Sequence, residues 1–523
     1  MEVADPLGRS RGRFCHPKKN PLTAYTRRVT VATGLAQHLE RPLARGHLPA
    51  DAHTGAAGGA ACGDLIRISL TIDTADVDNR IADAGFDASG CGASIAAGSA
   101  VVSLLRGTPL LGAAQIGPEM IADQLGGLSP AKHHAAELAA DALHRALGSA
   151  VRGQAQLSSA PGRTLVAMSG GVDSAVAALL VRESGEEAVA VTLELWADPE
   201  NDGERSCCSA QAVRGARALA HELGIPHISI DLRAEFRAGV VDPWLADHAA
   251  GLTPNPCVRC NGSVRLDAML ELADRLGAAR LATGHYARVH HDHHDGSGKG
   301  GPLLRMAADP AKDQSYALTA LARESLVRLR LPLGELRKPE VRTIAERAGL
   351  AVAGRPDSQD LCFLAGTART RFLARHGRLG RDAGPIVDRD GRVLGEHAGV
   401  HTVTVGQRRG LGSGRGLDAR GKPLFVLGTD VRSNTVTVGS REELLTQTVP
   451  VREVTLHRHS AVVDAIKVRY RGARLRCRLA DPVAAGAYDA LEVELTEPAE
   501  RTAPGQIACL YAGDLIVGHG TIG

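Results

Sequence analysis

A glycine-rich turn, SGGVDS at residues 169–174, carries the clearest chemistry in this sequence. It follows a short apolar run, LVAM, and precedes a stretch whose alanine and leucine content is typical of a helix packed on a sheet. Because glycines leave backbone N–H groups free to converge on an anion, and the positive end of the following helix adds to the attraction, the pattern predicts a phosphate site. We expect Asp173 and Ser174 to cap the helix and to contact phosphate or metal. An ordinary strand-turn-helix corner is the alternative; six matched positions favour phosphate, although the motif is not a Walker loop.

Three cysteines form a second candidate site. Cys257 and Cys260 stand at C-x-x-C spacing in TPNPCVRCN, and Cys362 lies in RPDSQDLCF. Two such thiols suit a structural zinc half-site or a redox pair, whereas three also suit an iron–sulfur cluster with one open iron. Spacing alone leaves these alternatives open. Cys207 and Cys208 are adjacent thiols without a C-x-x-C partner, and we interpret them as bystanders.

The length, composition and net charge of the chain limit the classes of protein to which it can belong. The chain has 523 residues, 44% hydrophobic content, ten cysteines and a formal net charge of +3, so it is multidomain and nearly neutral. No run of about eighteen apolar residues and no secretory signal is present, which predicts a cytoplasmic location, no membrane partner and reduced thiols. Any nucleic acid must then meet a local basic patch, for which the arginine-rich stretch 323–381 is a candidate; a solvated helix face is the alternative.

The elements that must position these residues follow a clear order. Apolar strands alternate with helical stretches over 164–379, which predicts a parallel, doubly wound α/β sheet with the phosphate loop after its first strand. Short alternating strands then predict two small β-barrel-like modules at 380–445 and 446–523. Upstream we expect an irregular extension at 1–60, an α+β domain at 61–148 whose last helix ends at Gly148, and a linker at 149–163.

The motifs SGGVDS, TPNPCVRCN, ATGHYARV, KDQSYAL, PLGELRKPEVRTIAERAGL, DSQDLCF and HTVTVGQRRGLG occur in the order seen in tRNA-specific 2-thiouridylases of the MnmA type. The chain resembles this family over roughly residues 164–523. The resemblance implies an ATP-pyrophosphatase (PP-loop) fold and an ATP-dependent tRNA-uridine 2-sulfurtransferase. In this reaction ATP adenylates the C2 oxygen of the wobble uridine, and sulfur then displaces AMP.

Carried over residue by residue, the resemblance implies roles for the following positions. ATP, with magnesium, would bind Ala167, Met168, Ser169, Gly170, Gly171, Val172, Asp173, Ser174, Leu193 and Gly284. The tRNA would contact Asn255, Pro256, His285, Lys312, Asp313, Gln314, Arg469, Tyr470 and Gln506. Cys260 takes the place of the nucleophile and Cys362 that of the persulfide carrier, with a cysteine desulfurase or persulfide carrier as the sulfur donor.

One position departs from the family pattern. Many members have aspartate where this chain has Cys257, so the usual carboxylate base is missing there. The set Cys257, Cys260 and Cys362 also resembles cluster-dependent tRNA thiolases, in which an open iron holds the sulfur to be transferred. Persulfide and iron–sulfur routes therefore both remain open.

The segment from about residue 58 to 147 resembles the U-type iron–sulfur scaffold proteins (NifU and IscU type). The ligand positions of the scaffold fall on Cys62, Asp64, Cys91 and His134, whose S, O and N donors suit a labile cluster. Ala135 stands where a third cysteine is expected. A metal-binding scaffold and a degenerate docking domain are both compatible with this sequence.

Three functions are weighed on this basis. The leading hypothesis is a tRNA 2-thiouridylase. An iron–sulfur carrier or assembly protein with a vestigial ATP domain is the main alternative, and the intact SGGVDS and KDQSY motifs argue against it. A PP-loop ligase for a small molecule would not need the long β region.

Overall fold

Parallel strands with helices between them form the centre of the chain, as the alternation of apolar and helical stretches predicts. The computed structural model describes residues 34–58, 63–198, 209–291, 301–357, 361–364, 366–380, 382–411 and 422–523. The described residues divide into two compact units. The first holds those up to Thr71 together with Arg80–Leu143, and the second holds Ile72–Asn79 and His144–Gly523.

The α-helices are α1 Leu35–Glu40, α2 Gly92–Leu105, α3 Leu110–Ala113, α4 Pro118–Gln124, α5 His133–Gly153, α6 Val172–Glu183, α7 Ala210–Glu222, α8 Arg233–Phe236, α9 Asp242–Ala249, α10 Pro256–Arg259, α11 Leu266–Arg275, α12 Arg323–Arg328, α13 Lys338–Arg347 and α14 Arg369–Gly377. Two π-helical segments, Arg237–Val241 and Cys260–Arg265, lead into α9 and α11. None of the helices in the described part of the chain has the length and apolarity that crossing a membrane requires.

The strands are β1 His53–Gly58, β2 Leu65–Ile72, β3 Ile81–Ser89, β4 Ala160–Ala167, β5 Glu187–Glu194, β6 His227–Asp231, β7 Ala278–Ala282, β8 Arg288–His290, β9 Leu303–Arg305, β10 Leu329–Arg330, β11 Gly384–Val387, β12 Val393–His397, β13 Phe425–Asp430, β14 Thr435–Gly439, β15 Leu445–Leu456, β16 Ala465–Lys467, β17 Leu475–Leu479, β18 Gly486–Glu500, β19 Ile507–Ala512 and β20 Leu515–Ile522.

The first unit is built on the sheet β1-β2-β3. β2 alternates exposed and buried residues from Leu65 to Ile68, as the sequence LIRISLTID predicts, but Ser69 and Leu70 are both buried. β1 pairs with β2 in antiparallel register. The prediction that residues 1–60 are irregular is wrong for the part that the structure describes, because α1 and β1 lie within it. The segment HTGAAG consists mostly of small residues, so it shows no hydrophobic pattern from which β1 could be predicted. This strand forms through backbone pairing with its neighbour.

Helix α5 runs five residues past the predicted end at Gly148 and stops at Gly153. A Cβ atom at Gly148 would lie 2.0 Å from the carbonyl oxygen of Ser229, so this glycine permits close packing and does not end the helix. The stretch 149–163, predicted as a linker, is therefore the end of α5 followed by the start of β4. Asn79 holds the residues between them, because its Oδ1 accepts the N–H of Gln156 at 2.7 Å.

The α/β sheet has the order β10-β7-β4-β5-β6, and all of its pairs are parallel. Its four predicted strands, LVAM, AVAVTLELW, PHISIDL and ARLATGHY, correspond to β4–β7. Helices α6, α7 and α13 contribute to an apolar core on one face. The chain proceeds from β4 to β5 and β6 on one side and then returns to β7 on the other side of β4. The loop after β4 therefore lies at the carboxyl edge where the strand order reverses, which is where ligands bind in such sheets.

Two β modules follow, as predicted. The first is the sheet β12-β11-β14-β13 around a small core. In the second, β15-β18-β17-β16-β19-β20 closes into a six-stranded barrel because β15 also pairs with β20. The hairpin β8–β9, which comes from the α/β segment of the chain, extends the barrel sheet next to β20.

Candidate active site

The loop at residues 169–174 joins β4 to α6 in the predicted order. Gly170 has a φ of +73°, and a Cβ atom there would lie 2.9 Å from the carbonyl oxygen of Ala212. The Ser174 hydroxyl donates to the carbonyl oxygen of Gly171 at 3.0 Å and accepts the N–H of Ser169 at 3.2 Å. This shape is compatible with a backbone site for phosphate at the start of α6.

Asp173 and Ser174 do not cap α6, contrary to our expectation, because Gly171 occupies the N-cap position. Asp173 is the second helical residue, and its carboxylate accepts the Lys338 Nζ at 2.7 and 2.8 Å and the Tyr286 hydroxyl at 2.7 Å. Gly284 lies against this turn, since a Cβ atom there would be 2.8 Å from the backbone nitrogen of Ser174. Two glycines and one ion pair therefore fix the start of α6.

The other predicted ATP contacts lie in the core. Ala167, Met168, Val172 and Leu193 are all buried, and the N–H of Met168 continues the sheet by donating to the carbonyl of Val191 at 2.8 Å. Their side chains thus support the loop, and their contact with ATP stays a prediction.

The carboxylate of Asp357 forms ion pairs with three cationic side chains beside the loop at residues 169–174. Its carboxylate accepts Lys338 Nζ at 2.8 Å, Lys312 Nζ at 2.6 Å and the Arg342 guanidinium at 3.0 Å. Burial raises the pKa of Asp357, but these hydrogen bonds and charges outweigh it and hold the pKa at about 2. Asp357 is therefore ionised throughout the neutral range.

Sequence reasoning missed Lys338, Asp357, Tyr286 and Arg355 as site residues. The Arg355 guanidinium donates to the carbonyl oxygen of Gly170 at 3.0 Å, directly on the loop. All four lie in motifs already singled out, GHYARV, ELRKPEVR and RPDSQDLCF. The residue types were visible there, but only the fold shows their contacts. Tyr286 and Lys338 bind Asp173, Asp357 binds Lys338, and Arg355 binds the loop itself.

The Cys257 loop is fixed at both ends. Asn255 caps α10, its Oδ1 accepting the N–H of Cys257 at 3.0 Å. Upstream, the N–H of Thr253 donates to the carbonyl of Pro504 at 2.8 Å, and the Gln506 side chain donates to the carbonyl of Thr253. Asn255 and Gln506, both predicted to contact tRNA, thus belong to one neighbourhood built from α10 and the C-terminal barrel.

Two tyrosines join this neighbourhood. The rings of Tyr316 and Tyr470 lie 6.0 Å apart, and the Tyr316 hydroxyl donates to the carbonyl of Ile507 at 2.7 Å. Burial raises the pKa of Tyr470, and the charge of Cys257 adds to the rise. Tyr470 is 37% exposed, whereas Pro256, the first residue of α10, is buried, and the contacts of both with tRNA stay predictions.

Cys257 and Cys260 have different surroundings. Cys257 is exposed to water, yet the protein around it displaces enough solvent to raise the pKa of its thiol, which Arg265 partly opposes. Cys260 is buried and begins the π-helical segment. Burial and then the charge of Arg265 lower the pKa of His285 to about 3, so His285 is neutral.

The segment with Cys362 is anchored by its neighbour. Phe363 is buried in a cluster of rings, 5.2 Å from those of Trp244 and Phe372. Arg375 on α14 donates to the buried carboxylate of Asp198 at 2.7 and 3.1 Å and fastens the same region. Cys362 itself is partly exposed.

Several predicted tRNA contacts are engaged within the protein. The Asp313 carboxylate accepts the Ser315 hydroxyl at 2.9 Å and the N–H of Ala307 at 3.0 Å, and Gln314 Oε1 accepts the N–H of Tyr286 at 2.9 Å. In the basic stretch 323–381, Arg342 and Arg375 pair with Asp357 and Asp198 as described. Contacts of His285, Lys312, Asp313, Gln314 and Arg469 with tRNA stay predictions.

The first unit holds a group suited to a metal. Among the residues that the structure describes, only Asp64, Cys91 and His134 form a set of three or more metal-ligating side chains whose donor atoms all lie within 4.8 Å of one another. Cys62, the fourth predicted ligand, lies outside the described residues, as do Cys207 and Cys208. Within the same described ranges, Cys257, Cys260 and Cys362 do not form such a set, so as placed they do not surround a single metal ion, and a cluster shared by them stays a prediction.

Comparison with known proteins covers nearly the whole chain. The chain is 44% identical over 499 residues to the bifunctional protein NifU/MnmA of Rubrobacter xylanophilus, covering 93% of this chain and 97% of that protein. The chain belongs to the bifunctional NifU/MnmA family. The MnmA part is also 40% identical over 368 residues to the tRNA-specific 2-thiouridylase of Geobacter metallireducens and 42% over 367 residues to that of Thermobifida fusca, each covering 69% of this chain and 96% and 95% of the relatives.

Family models divide the NifU/MnmA chain in the same way. A NifU-like N-terminal domain matches residues 32–154, and a tRNA methyl transferase HUP domain matches 162–366. A tRNA methyl transferase PRC-barrel domain matches 370–440, and an aminomethyltransferase beta-barrel domain matches 451–522. The predicted fold class is thereby confirmed: a parallel-sheet HUP domain, two β modules and a preceding scaffold-like domain.

Proposed function

We infer that this protein is an ATP-dependent tRNA 2-thiouridylase that adenylates the C2 oxygen of a wobble uridine and replaces it with sulfur, releasing AMP and pyrophosphate. The observation that carries the inference is the convergence of a glycine-rich loop, Lys338 and Arg355 on one edge of the parallel sheet in a chain of the NifU/MnmA family. Convergent backbone N–H groups and cations are what a nucleotide polyphosphate needs.

Adenylation requires that charge on the phosphates be neutralised as pyrophosphate leaves. We propose that the backbone at residues 169–174 and the ammonium of Lys338 supply this, and that Asp173 holds magnesium together with the phosphates of ATP. The close approach of Gly284 to the backbone of Asp173 and Ser174 supports this placement, because it holds the start of α6, which carries the Asp173 carboxylate, in position. Bound magnesium would act as a Lewis acid on the phosphates.

For sulfur transfer, we propose a persulfide on Cys362. Its terminal sulfur attacks C2 of the adenylated base and AMP departs. Breaking the remaining S–S bond requires two electrons, which the thiolate of Cys260 supplies by forming a disulfide with Cys362, leaving the C2=S group on the base. A thiol reductant then restores both cysteines, and a cysteine desulfurase or persulfide carrier reloads Cys362. No step is assigned to an iron–sulfur cluster at Cys257, Cys260 and Cys362.

A second function is favoured by the group in the first unit. We propose that Asp64, Cys91 and His134 hold a metal ion or an iron–sulfur cluster, with Cys62 as a fourth ligand. Support comes from the Asp64 carboxylate, which is buried and accepts Cys91 Sγ at 3.2 Å and His134 Nε2 at 3.1 Å, so the donors already face one another. Fusion keeps such a scaffold at high effective concentration near the thiolase part.

Pyrophosphate release that depends on tRNA tests the leading function. The full chain is given ATP, magnesium and unmodified tRNA, with a desulfurase, cysteine and a thiol reductant, and 2-thiouridine is measured by mass spectrometry. We expect Cys362→Ala to abolish 2-thiouridine while pyrophosphate release persists. Cys91→Ala, in the other unit, is the control and should leave pyrophosphate release unchanged. An absence of tRNA-dependent pyrophosphate release in the unaltered chain would leave only the carrier function.

A further inference from the structure

Arg265 is a cation near the candidate active site that has no partner in the described part of the chain. It ends the π-helical segment Cys260–Arg265, and its Nε is buried without a hydrogen-bond acceptor among the residues that the structure describes. Within those residues it also forms no ion pair. Lys338, Lys312 and Arg342, by contrast, are bound to carboxylates. A buried N–H group without an acceptor is unfavourable, which indicates that a ligand supplies the acceptor.

The segment that carries Arg265 is held in place by its neighbours. The side-chain amide of Asn261 donates to the carbonyl of Ala317 at 3.2 Å. Gly262 packs so closely against Ala320 that a Cβ atom at this glycine would lie 3.2 Å from the Cβ atom of Ala320. Short π-helical turns occur frequently at functional sites. Because the guanidinium stands on a fixed element, binding an anion there requires little further ordering of the chain.

The charge of Arg265 acts on both sides of the candidate site. Burial is the larger cause of the low pKa of His285 and of the raised pKa of the Cys257 thiol, and the charge of Arg265 adds to the first effect and opposes the second. His285 directly follows Gly284, where a Cβ atom would lie 2.8 Å from the backbone nitrogen of Ser174. Arg265 is therefore near the exposed thiol and also near the edge of the sheet that carries the glycine-rich loop.

In the proposed reaction, the α-phosphate links the two substrates. The loop at residues 169–174 would hold the polyphosphate, and the base would meet residues 255–257, so the phosphate joined to both lies between them. When sulfur attacks, the C2–S bond forms, the C2–O bond breaks, and its electron pair stays on the oxygen that leaves with AMP. The phosphate thereby gains negative charge. A guanidinium is suited to this phosphate, because it can donate two parallel N–H bonds to it.

We propose that Arg265 is a catalytic residue that binds the α-phosphate of ATP and then the phosphate of the departing AMP. The Nε and one terminal nitrogen of the guanidinium donate to two phosphate oxygens, so the buried Nε gains an acceptor. The cation stabilises the charge that develops as AMP leaves. This inference rests on the proposed function, because the α-phosphate reacts only if ATP adenylates the base.

Affinities for AMP and adenosine, measured by equilibrium dialysis on the full chain, isolate the phosphate contact. We expect Arg265→Gln to lower the affinity for AMP by about tenfold or more, the usual effect of a charge-assisted hydrogen bond, and to leave the affinity for adenosine unchanged. Arg265→Lys should recover part of the loss, because it keeps the charge without the paired donors. Arg275→Gln is the matched control, since Arg275 pairs with Glu271 on α11 at 3.3 Å.

A single-turnover assay with ATP, magnesium and unmodified tRNA tests whether the contact is catalytic. We expect Arg265→Gln to slow tRNA-dependent pyrophosphate release by about a hundredfold or more, the usual loss when a donor to a developing charge is removed. Arg275→Gln should release pyrophosphate at the rate of the unaltered chain. Thermal unfolding checks that each variant is folded.

Several outcomes would overturn the assignment. Equal losses of AMP and adenosine affinity in Arg265→Gln would mean that the residue supports the fold only. Unchanged AMP affinity with slower alkylation of Cys257 by iodoacetamide would mean that Arg265 acts on the thiol. An unchanged rate of pyrophosphate release would exclude a catalytic role. If the unaltered chain releases no pyrophosphate with tRNA while AMP affinity still depends on Arg265, the proposed function fails and only the phosphate contact stands.

Discussion

Cys257 shows how one residue redefines a site. Its thiol stands where the resemblance to 2-thiouridylases implies aspartate in many members, and the surrounding protein raises its pKa, so it is protonated at neutral pH and is a poor general base. The cap from Asn255 and the contact of Thr253 with Pro504 keep the loop in place whatever side chain occupies position 257. The position can therefore be varied without rebuilding the loop.

We predict that Cys257→Asp increases thiolation of tRNA by up to about a hundredfold, the lower end of the range for general-base catalysis, in protein free of iron. Thiolation is measured as 2-thiouridine formed per minute. Cys257→Asn is the control, because it has the size of aspartate without its charge, and it should give no gain. A loss of all thiolation in Cys257→Asp would mean that a thiol is required at this position.

His248 is a residue whose neutral form stabilises the fold. Burial, followed by the charges of Arg369 and His401, lowers its pKa to about 4. The unfolded chain takes up a proton near pH 6.5, whereas the folded chain does not until about pH 4, so stability is lost as the pH falls through this range. At pH 5 the loss is about 2 kcal/mol from this group.

We predict that the thermal unfolding midpoint decreases between pH 7 and pH 5, and that His248→Phe reduces this decrease. Phenylalanine preserves a ring for the edge contact with Trp244, whose centroid lies 4.4 Å away, and removes the titrating group. Scanning calorimetry at both pH values measures the difference. Equal pH dependence in the two proteins would contradict the assignment to His248.

At the scale of elements, α5 shows that a glycine within a helical pattern can permit close packing against a neighbouring element and need not indicate the end of the helix. The helix passes through Gly148 because the backbone of β6 lies against it at Ser229. The amphipathic pattern of HHAAELAADALHRAL predicted the helix itself, whereas its last turn depends on a neighbour that is about eighty residues away in the chain.

We predict that Gly148→Ala lowers the free energy of unfolding by about 1–3 kcal/mol, the range for overpacking, because the new methyl group meets the Ser229 carbonyl. Gly215 on α7 is the matched control, since a Cβ atom there meets nothing within 4 Å. Gly215→Ala should raise stability by about 0.5–1 kcal/mol. Unfolding in urea compares the two. Equal effects would contradict the close contact at Gly148.

At the scale of the whole molecule, the chain joins two chemistries in separate units. Asp64, Cys91 and His134 belong to the first, and the glycine-rich loop at residues 169–174 with its neighbouring cations belongs to the second. Burial raises the pKa of Asp64, but hydrogen bonds from Cys91, Ser94 and His134 outweigh it and hold the pKa at about 2, so the carboxylate is ionised and ready for a cation.

We predict that Asp64→Asn reduces zinc or iron binding to the full chain at least tenfold, since the ligand set loses its only negative oxygen donor. Pyrophosphate release that depends on tRNA should be unchanged. Metal content by mass spectrometry and the pyrophosphate assay are run on the same sample. Asp87→Asn, an exposed partner of Arg67 at 3.3 Å, is the control. Unchanged metal content in Asp64→Asn would exclude this group as the site.

Much of the secondary structure of this protein could be predicted from its sequence, because the patterns that indicate it are local. The strand-glycine-helix order at residues 165–181, the period-2 runs after residue 380 and the pattern of LIRISLTID each depend on neighbours in the chain, so strands, helices and the loop could be predicted. The tertiary structure alone decided what Lys338, Arg355 and Asp357 do, because three distant segments must meet before a charge acquires a partner. It also decided that β1 is a strand and that α5 continues past Gly148, since pairing and close packing come from residues far along the chain.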